Sequence, residues 1–129
     1  MLSAAPIRAY IPVANLQRAR KFYEETVGLD PGAVYGGGVI YKCGDTEVFM
    51  YPTANAGTSK ASQAFWQVDD VEREVASLKA RGVKFEHYSS DEIGGMTMKG
   101  DIAEGDDGGK AAWFKDTEGN IMALIEEKL

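Results

Sequence analysis

Cysteine and histidine are almost missing from this chain, which has one of each, Cys43 and His87. A lone cysteine excludes an intrachain disulfide framework and argues against a Cys-based zinc site. It fits a reducing compartment, and a cytoplasmic location is expected. Basic charge is also short. Fourteen Lys and Arg stand against twenty Asp and Glu, a formal net charge of −6, so phosphate backbones are poor partners and nucleic acid is not expected. Long apolar runs are missing too. No segment approaches the roughly 18 uninterrupted apolar residues of a membrane helix, and Met1-Leu2-Ser3-Ala4-Ala5-Pro6 lacks the basic start and apolar run of a signal peptide. What remains is ordinary globular material: 129 residues, 44% hydrophobic and 26% charged, read as a single domain over 1–129. The 15 glycines predict many turns between short elements.

The chain repeats itself. Tyr10 to Arg18 can be laid on Phe65 to Arg73, with Val13 on Val68, Asn15 on Asp70, Leu16 on Val71 and Arg18 on Arg73, 55 positions apart. Asn15 and Asp70 are N-cap types, because a short side-chain oxygen accepts a free N–H of the first turn. Asp69 with Glu72 is an alternative capping box one residue earlier. Leu16, Ala19, Phe22, Tyr23 and Val27 share one helical face, and Gly28 follows at a left-handed C-cap position. Val71, Val75 and Leu78 do the same before Gly82. The pattern predicts strands near 6–13, 31–35, 38–43 and 46–52 around a helix at 16–27. It predicts strands near 62–68, 83–88, 96–102, 110–115 and 120–126 around a helix at 71–81. Gly36-Gly37-Gly38, Gly44-Asp45, Asp106-Asp107-Gly108-Gly109 and Asp116-Thr117-Glu118-Gly119 separate strands as turns. The triple glycine lacks the Lys-Ser/Thr of a phosphate loop. The fold class is α+β: two tandem βαβββ modules, 1–55 and 60–129, forming an incomplete barrel around a central cleft.

Ile11-Pro12-Val13-Ala14-Asn15-Leu16 with Phe22-Tyr23 and Gly28-Leu29, and the closing Trp113-Phe114-Lys115-Asp116-Thr117-Glu118-Gly119-Asn120, resemble the glyoxalase / bleomycin-resistance / extradiol-dioxygenase superfamily, the vicinal oxygen chelate proteins. Thr117 stands where that family usually has proline. The resemblance implies metal positions on facing strands, which fall here on Arg8, on Met50 within the window Phe49 to Tyr51, on Gln63 and on Ala123. Arg presents only donors, Ala has no ligating atom, and a Met thioether suits soft copper rather than a hard divalent ion. Only Gln63 suits such an ion. A metal-free member without a cofactor is therefore expected. The family's binding proteins also imply a homodimer.

Strand alternation assigns faces. Arg8, Tyr10 and Pro12 share one face of the first strand, and Gln63, Phe65 and Gln67 share one face of its counterpart. The expected cleft joins aromatics, an amide and a guanidinium, a mix that suits a small aromatic or anionic molecule. Arg8 has a second reading as a surface charge. Trp113 is a ligand contact or core, and Met50 and Ala123 complete the expected lining. Met96 and Met98 line a pocket or fill gaps, and the 89–95 segment covers the cleft mouth or is a plain loop. His87 is a candidate general base by residue type, with Tyr88 beside it. Alternation sets Phe85 and His87 on one face and Glu86 and Tyr88 on the other. No Ser or Cys nucleophile with a partner acid is indicated by spacing, and Cys43 reads as a half-buried strand residue. Two functions stay open: a protein that binds a small molecule, or a lyase, isomerase or other glyoxalase-like enzyme.

Overall fold

The computed structural model describes residues 1–127. Ten strands and two helices are arranged as two sheets. β1 (Ala9–Val13), β2 (Ala33–Tyr35), β3 (Gly38–Cys43) and β4 (Thr46–Pro52) form the first sheet in the order β1-β4-β3-β2. β5 (Ser62–Gln67), β6 (Phe85–Glu86), β7 (Thr97–Lys99), β8 (Ile102–Glu104), β9 (Lys110–Lys115) and β10 (Ile121–Glu126) form the second, in the order β5-β10-β9-β8-β7, with β6 also on β9. β1 runs parallel to β4 and β5 parallel to β10, and the other pairs are antiparallel. The architecture is α+β, with two sheets and no closed barrel. The edge strands β1 and β5 meet where Gln63 Nε2 donates to the Tyr10 carbonyl at 3.0 Å.

The helices start where their caps allow. Asn15 accepts from the Arg18 N–H and Asp70 from the Arg73 N–H, opening α1 (Leu16–Lys21) and α2 (Val71–Ala80). The helix expected over 16–27 is α-helical only to Lys21. It then widens into a π-helical turn over Phe22–Val27 that ends at Gly28, φ 91°. Three strand expectations also change. The first strand begins at Ala9 instead of residue 6, and the strand near 83–88 contracts to Phe85–Glu86. The strand near 96–102 is a hairpin, β7 and β8, because Gly100 adopts φ 66° in the turn between them.

One face of each sheet meets the helices. Ile11, Val13, Val39, Tyr41 and Met50 from the first sheet, and Ala112, Phe114, Met122 and Leu124 from the second, join Ala19 and Tyr23 of the first helical segment and Val71, Val75 and Leu78 of α2 in one buried cluster, with the partly buried Trp66 packed against it. The modules share this core. Trp66 stacks on Phe114 at 6.2 Å and 8°, and the Phe22 and Tyr23 rings reach Phe114 and Trp66 from the other module.

A polar joint completes the contact. The β9–β10 turn buries Asp116, Glu118 and Asn120. Glu118 accepts from the N–H groups of Ala14 and Asn15 at 2.9 and 2.8 Å and from the Arg18 guanidinium at 2.8 and 2.9 Å. Asp116 accepts the Tyr23 hydroxyl at 2.6 Å, and Asn120 Nδ2 donates to the Pro12 carbonyl at 2.7 Å. The turn of the second module thus holds the β1–α1 corner of the first.

Candidate functional site

The faces turned away from the helices carry the candidate site. On the first sheet the register sets Tyr10 beside Phe49, Pro12 beside Tyr51, and Ile40 between Phe49 and Ala33. Tyr10 meets Phe49 and Tyr51 edge-on, with ring centroids at 5.8 and 4.8 Å. A hollow of about 510 Å³ lies among Arg8, Tyr10, Tyr35, Ile40, Glu47 and Phe49. Tyr10 and Tyr35 remain 60% and 68% exposed, a large apolar surface to leave in water.

Arg8 lies in this hollow, but its charge is already matched. Its Nε donates to Glu47 Oε1 at 2.8 Å. The open guanidinium fork expected for an anion is half occupied by a carboxylate of its own sheet. Met50 is a clear correction. It is fully buried on the helix side, between Ile11 and Val39 in register, and shares no face with Arg8 or Tyr10. The family's ligand position points to Met50, whereas Glu47, on the opposite parity and bonded to Arg8, marks the open face of the strand. Phe49 and Tyr51 occupy the open face instead. Phe49, Tyr35 and Ile40 line the hollow and were missed as ligand contacts in the sequence, while Tyr51 packs beside Tyr10 on the same face.

On the second sheet, Phe65, Ala123 and Trp113 lie side by side in register, with Glu86 next in line. Phe65 is 58% exposed, while Ala123 is buried. Gln63 spends its amide on the Tyr10 carbonyl and so bridges the sheets. A hollow of about 540 Å³ is lined by Trp113, Ala111, Ile125, Ile93, Met96 and the Gly94–Gly95 backbone. Its rim carries Asp106, Asp107 and Glu127. Lys110 also borders it, but the ammonium binds Glu72 of α2 at 2.8 Å. Tyr88 abuts the Trp113 ring edge-on at 5.6 Å. Its hydroxyl is buried without a partner among the described residues, and burial, then the nearby Glu86 and Glu92 charges, raise its pKa.

His87 is the second correction. Tyr88 reaches Trp113 on the open face, but His87 points to the α2 side and contacts Asp101 at 2.7 Å. The two lie on opposite faces, as alternation sets them, and the correction is only that His87 does not join the ligand lining. No nucleophile stands near His87 among the contacts of the described residues.

The family's metal positions do not suit a cation. Arg8 is bound to Glu47, Met50 faces the core, Gln63 is engaged with a carbonyl, and Ala123 has no donor. Among the described residues, no three His, Cys, Asp or Glu side chains gather as a metal-binding group. No described helix is long and apolar enough to cross a membrane.

The Glyoxalase/Bleomycin resistance protein/Dioxygenase superfamily model matches residues 5–124. The chain belongs to this superfamily. Its glyoxalase-type fold is shared with several solved structures. Lactoylglutathione lyase from Agrobacterium tumefaciens superposes with a TM-score of 0.69 at 16% identity, over 95% of this chain and 93% of that one. TnmS3, an antibiotic binding protein from Streptomyces sp. CB03234, gives 0.65 at 23% identity over 96% and 98%. A superfamily member from Sphaerobacter thermophilus gives 0.65 at 22% over 98% and 100%. No curated protein sequence matches the chain. At these identities the likeness is one of fold.

Proposed function

We propose that this superfamily member is a metal-free binding protein for a small planar aromatic molecule, neutral or cationic, and that it works as a homodimer. The observation that carries this reading is the lining of the two open faces. Tyr10, Tyr35 and Phe49 on one sheet, and Trp113 and Phe65 on the other, offer flat apolar area with few uncommitted polar groups. Arg8 is matched by Glu47, which removes the reason to expect an anion, while the rim beside Trp113 is acidic. A cation over an aromatic face gains further from the ring's quadrupole. The antibiotic binding function of TnmS3 is consistent with this reading. The exposed Tyr10, Tyr35 and Phe65 rings would be covered by a second copy or by the ligand.

The test is a fluorescence titration and thermal-shift series with thioflavin T, a flat cationic dye, against benzoate as a flat anion. Thioflavin T is expected to bind and stabilise, and benzoate to do neither. Trp113→Ala should weaken dye binding by about tenfold or more, since loss of an aromatic anchor commonly costs over 1 kcal/mol. Preference for benzoate, or stoichiometric metal in the purified protein, would overturn the reading. Sedimentation velocity tests the dimer.

A further inference from the structure

His87 takes no part in the aromatic lining, yet its surroundings are specific. His87 follows β6 directly. In β6, Phe85 faces the core beside Phe114 and Glu86 stands beside Trp113. The alternation continues past the strand: His87 turns to the α2 side and Tyr88 to Trp113. Asp101 holds His87 Nε2 with Oδ1 at 2.7 Å and Lys79 Nζ with Oδ2 at 2.5 Å. Lys79 lies in the last turn of α2, and Asp101 lies in the turn between β7 and β8. One carboxylate therefore ties together the helix, the end of β6 and the hairpin turn.

Those three points bracket one excursion of the chain. Between His87 and Asp101 run a short 3-10 turn, Ser90–Ile93, then Gly94 and Gly95 at φ 64° and 89°, then β7, which among the described residues pairs only with β8. The backbone hydrogen bonds of the turn are internal: Glu92 N–H to Ser89, Gly95 N–H to Ser90, Met96 N–H to Ile93. Its side-chain bond from Ser89 to Glu92 is internal as well. The turn is therefore held in place from its ends. Ile93, Gly94, Gly95 and Met96 form one wall of the hollow beside Trp113.

We infer that His87, Asp101 and Lys79 form a clasp that sets the 89–96 loop and Tyr88 against Trp113, so that His87 is a positioning residue for the second hollow and not a base. The consequence for binding rests on the function proposed above, while the placement of the loop does not. Two arms keep these apart. Hydrogen exchange read by mass spectrometry follows the 89–96 amides, and thioflavin T titration follows the hollow. His87→Ala is expected to speed exchange in 89–96 and leave β9 and β10 unchanged. It should weaken the dye by about threefold to tenfold, the range of one partly exposed hydrogen bond. His87→Gln, which keeps a donor for Asp101, should restore most of both. Unchanged exchange in His87→Ala, or faster exchange spread over β9 and β10, would overturn the clasp. If the wild-type protein ignores the dye, exchange alone decides the clasp, and the binding reading is what falls.

Discussion

A carboxylate whose side chain is shut off from water needs its lone pairs met, and Glu118 meets them with five hydrogen bonds, from Ala14, Asn15, Thr117 and twice from Arg18. The Arg18 bonds first, then the backbone and Thr117 donors, hold its pKa down to about 2 against burial. The folded value lies below the unfolded one. The stabilisation is therefore complete above about pH 5 and drains away as pH falls towards 2. It is expected to amount to about 3 kcal/mol. Urea unfolding of the wild type and Glu118→Gln should show a wide stability gap at pH 7 that narrows through this window; a gap independent of pH would refute the assignment. The sequence made these residues visible as a turn motif, yet it could not tell that the turn is buried. Charged turn residues ordinarily face water, and only the Ala14 and Asn15 N–H groups brought from the other module make burial tolerable.

The elements were legible where one side chain or one backbone angle decides them. Asn15 and Asp70 cap as their chemistry requires, and Gly28 and Gly82 take the left-handed angles that end helical segments. Period-two alternation assigns the faces of β1 and β5, and in β4 it sets Glu47 opposite to Met50; the Met50 assignment followed the family's ligand position instead, and the structure buries that side chain. The segment between the modules is small and polar, a composition that does not announce a close contact. In the structure Gly57, at φ 73°, lies against the Glu118 backbone, and an added Cβ would run into the Glu118 carbonyl. Close approach and a positive φ act together here. Gly57→Ala is therefore expected to lower stability by about 2 kcal/mol or more in urea unfolding. Gly36→Ala, in an open turn with nothing near it, should lose less, because strain alone acts there. Equal losses would remove the close approach as the cause.

At the scale of the whole molecule, the internal repeat announced two copies but not how they join. The join uses the π-helical turn that delivers Phe22 and Tyr23 and the Asp116–Asn120 turn, which receives the Tyr23 hydroxyl and binds Asn15 and Arg18 of the first copy. Tyr23 is fully buried, and its ring lies 6.5 Å from Trp66 of the other module. Neither sheet can keep its helix-facing surface dry if the other unfolds. Exposing buried aromatics of this size costs about 2–3 kcal/mol each, so a half-folded chain would lose several such contributions at once. Calorimetry is therefore expected to show one transition, with amides of β3 and β10 reaching the same limiting exchange free energy. Fragments 1–55 and 60–129 should not fold alone, because each would present half of the shared core to water. Two resolved transitions, or a folded 60–129 fragment, would mean that the modules are stable separately and that the joint through Tyr23 and Glu118 only orients them.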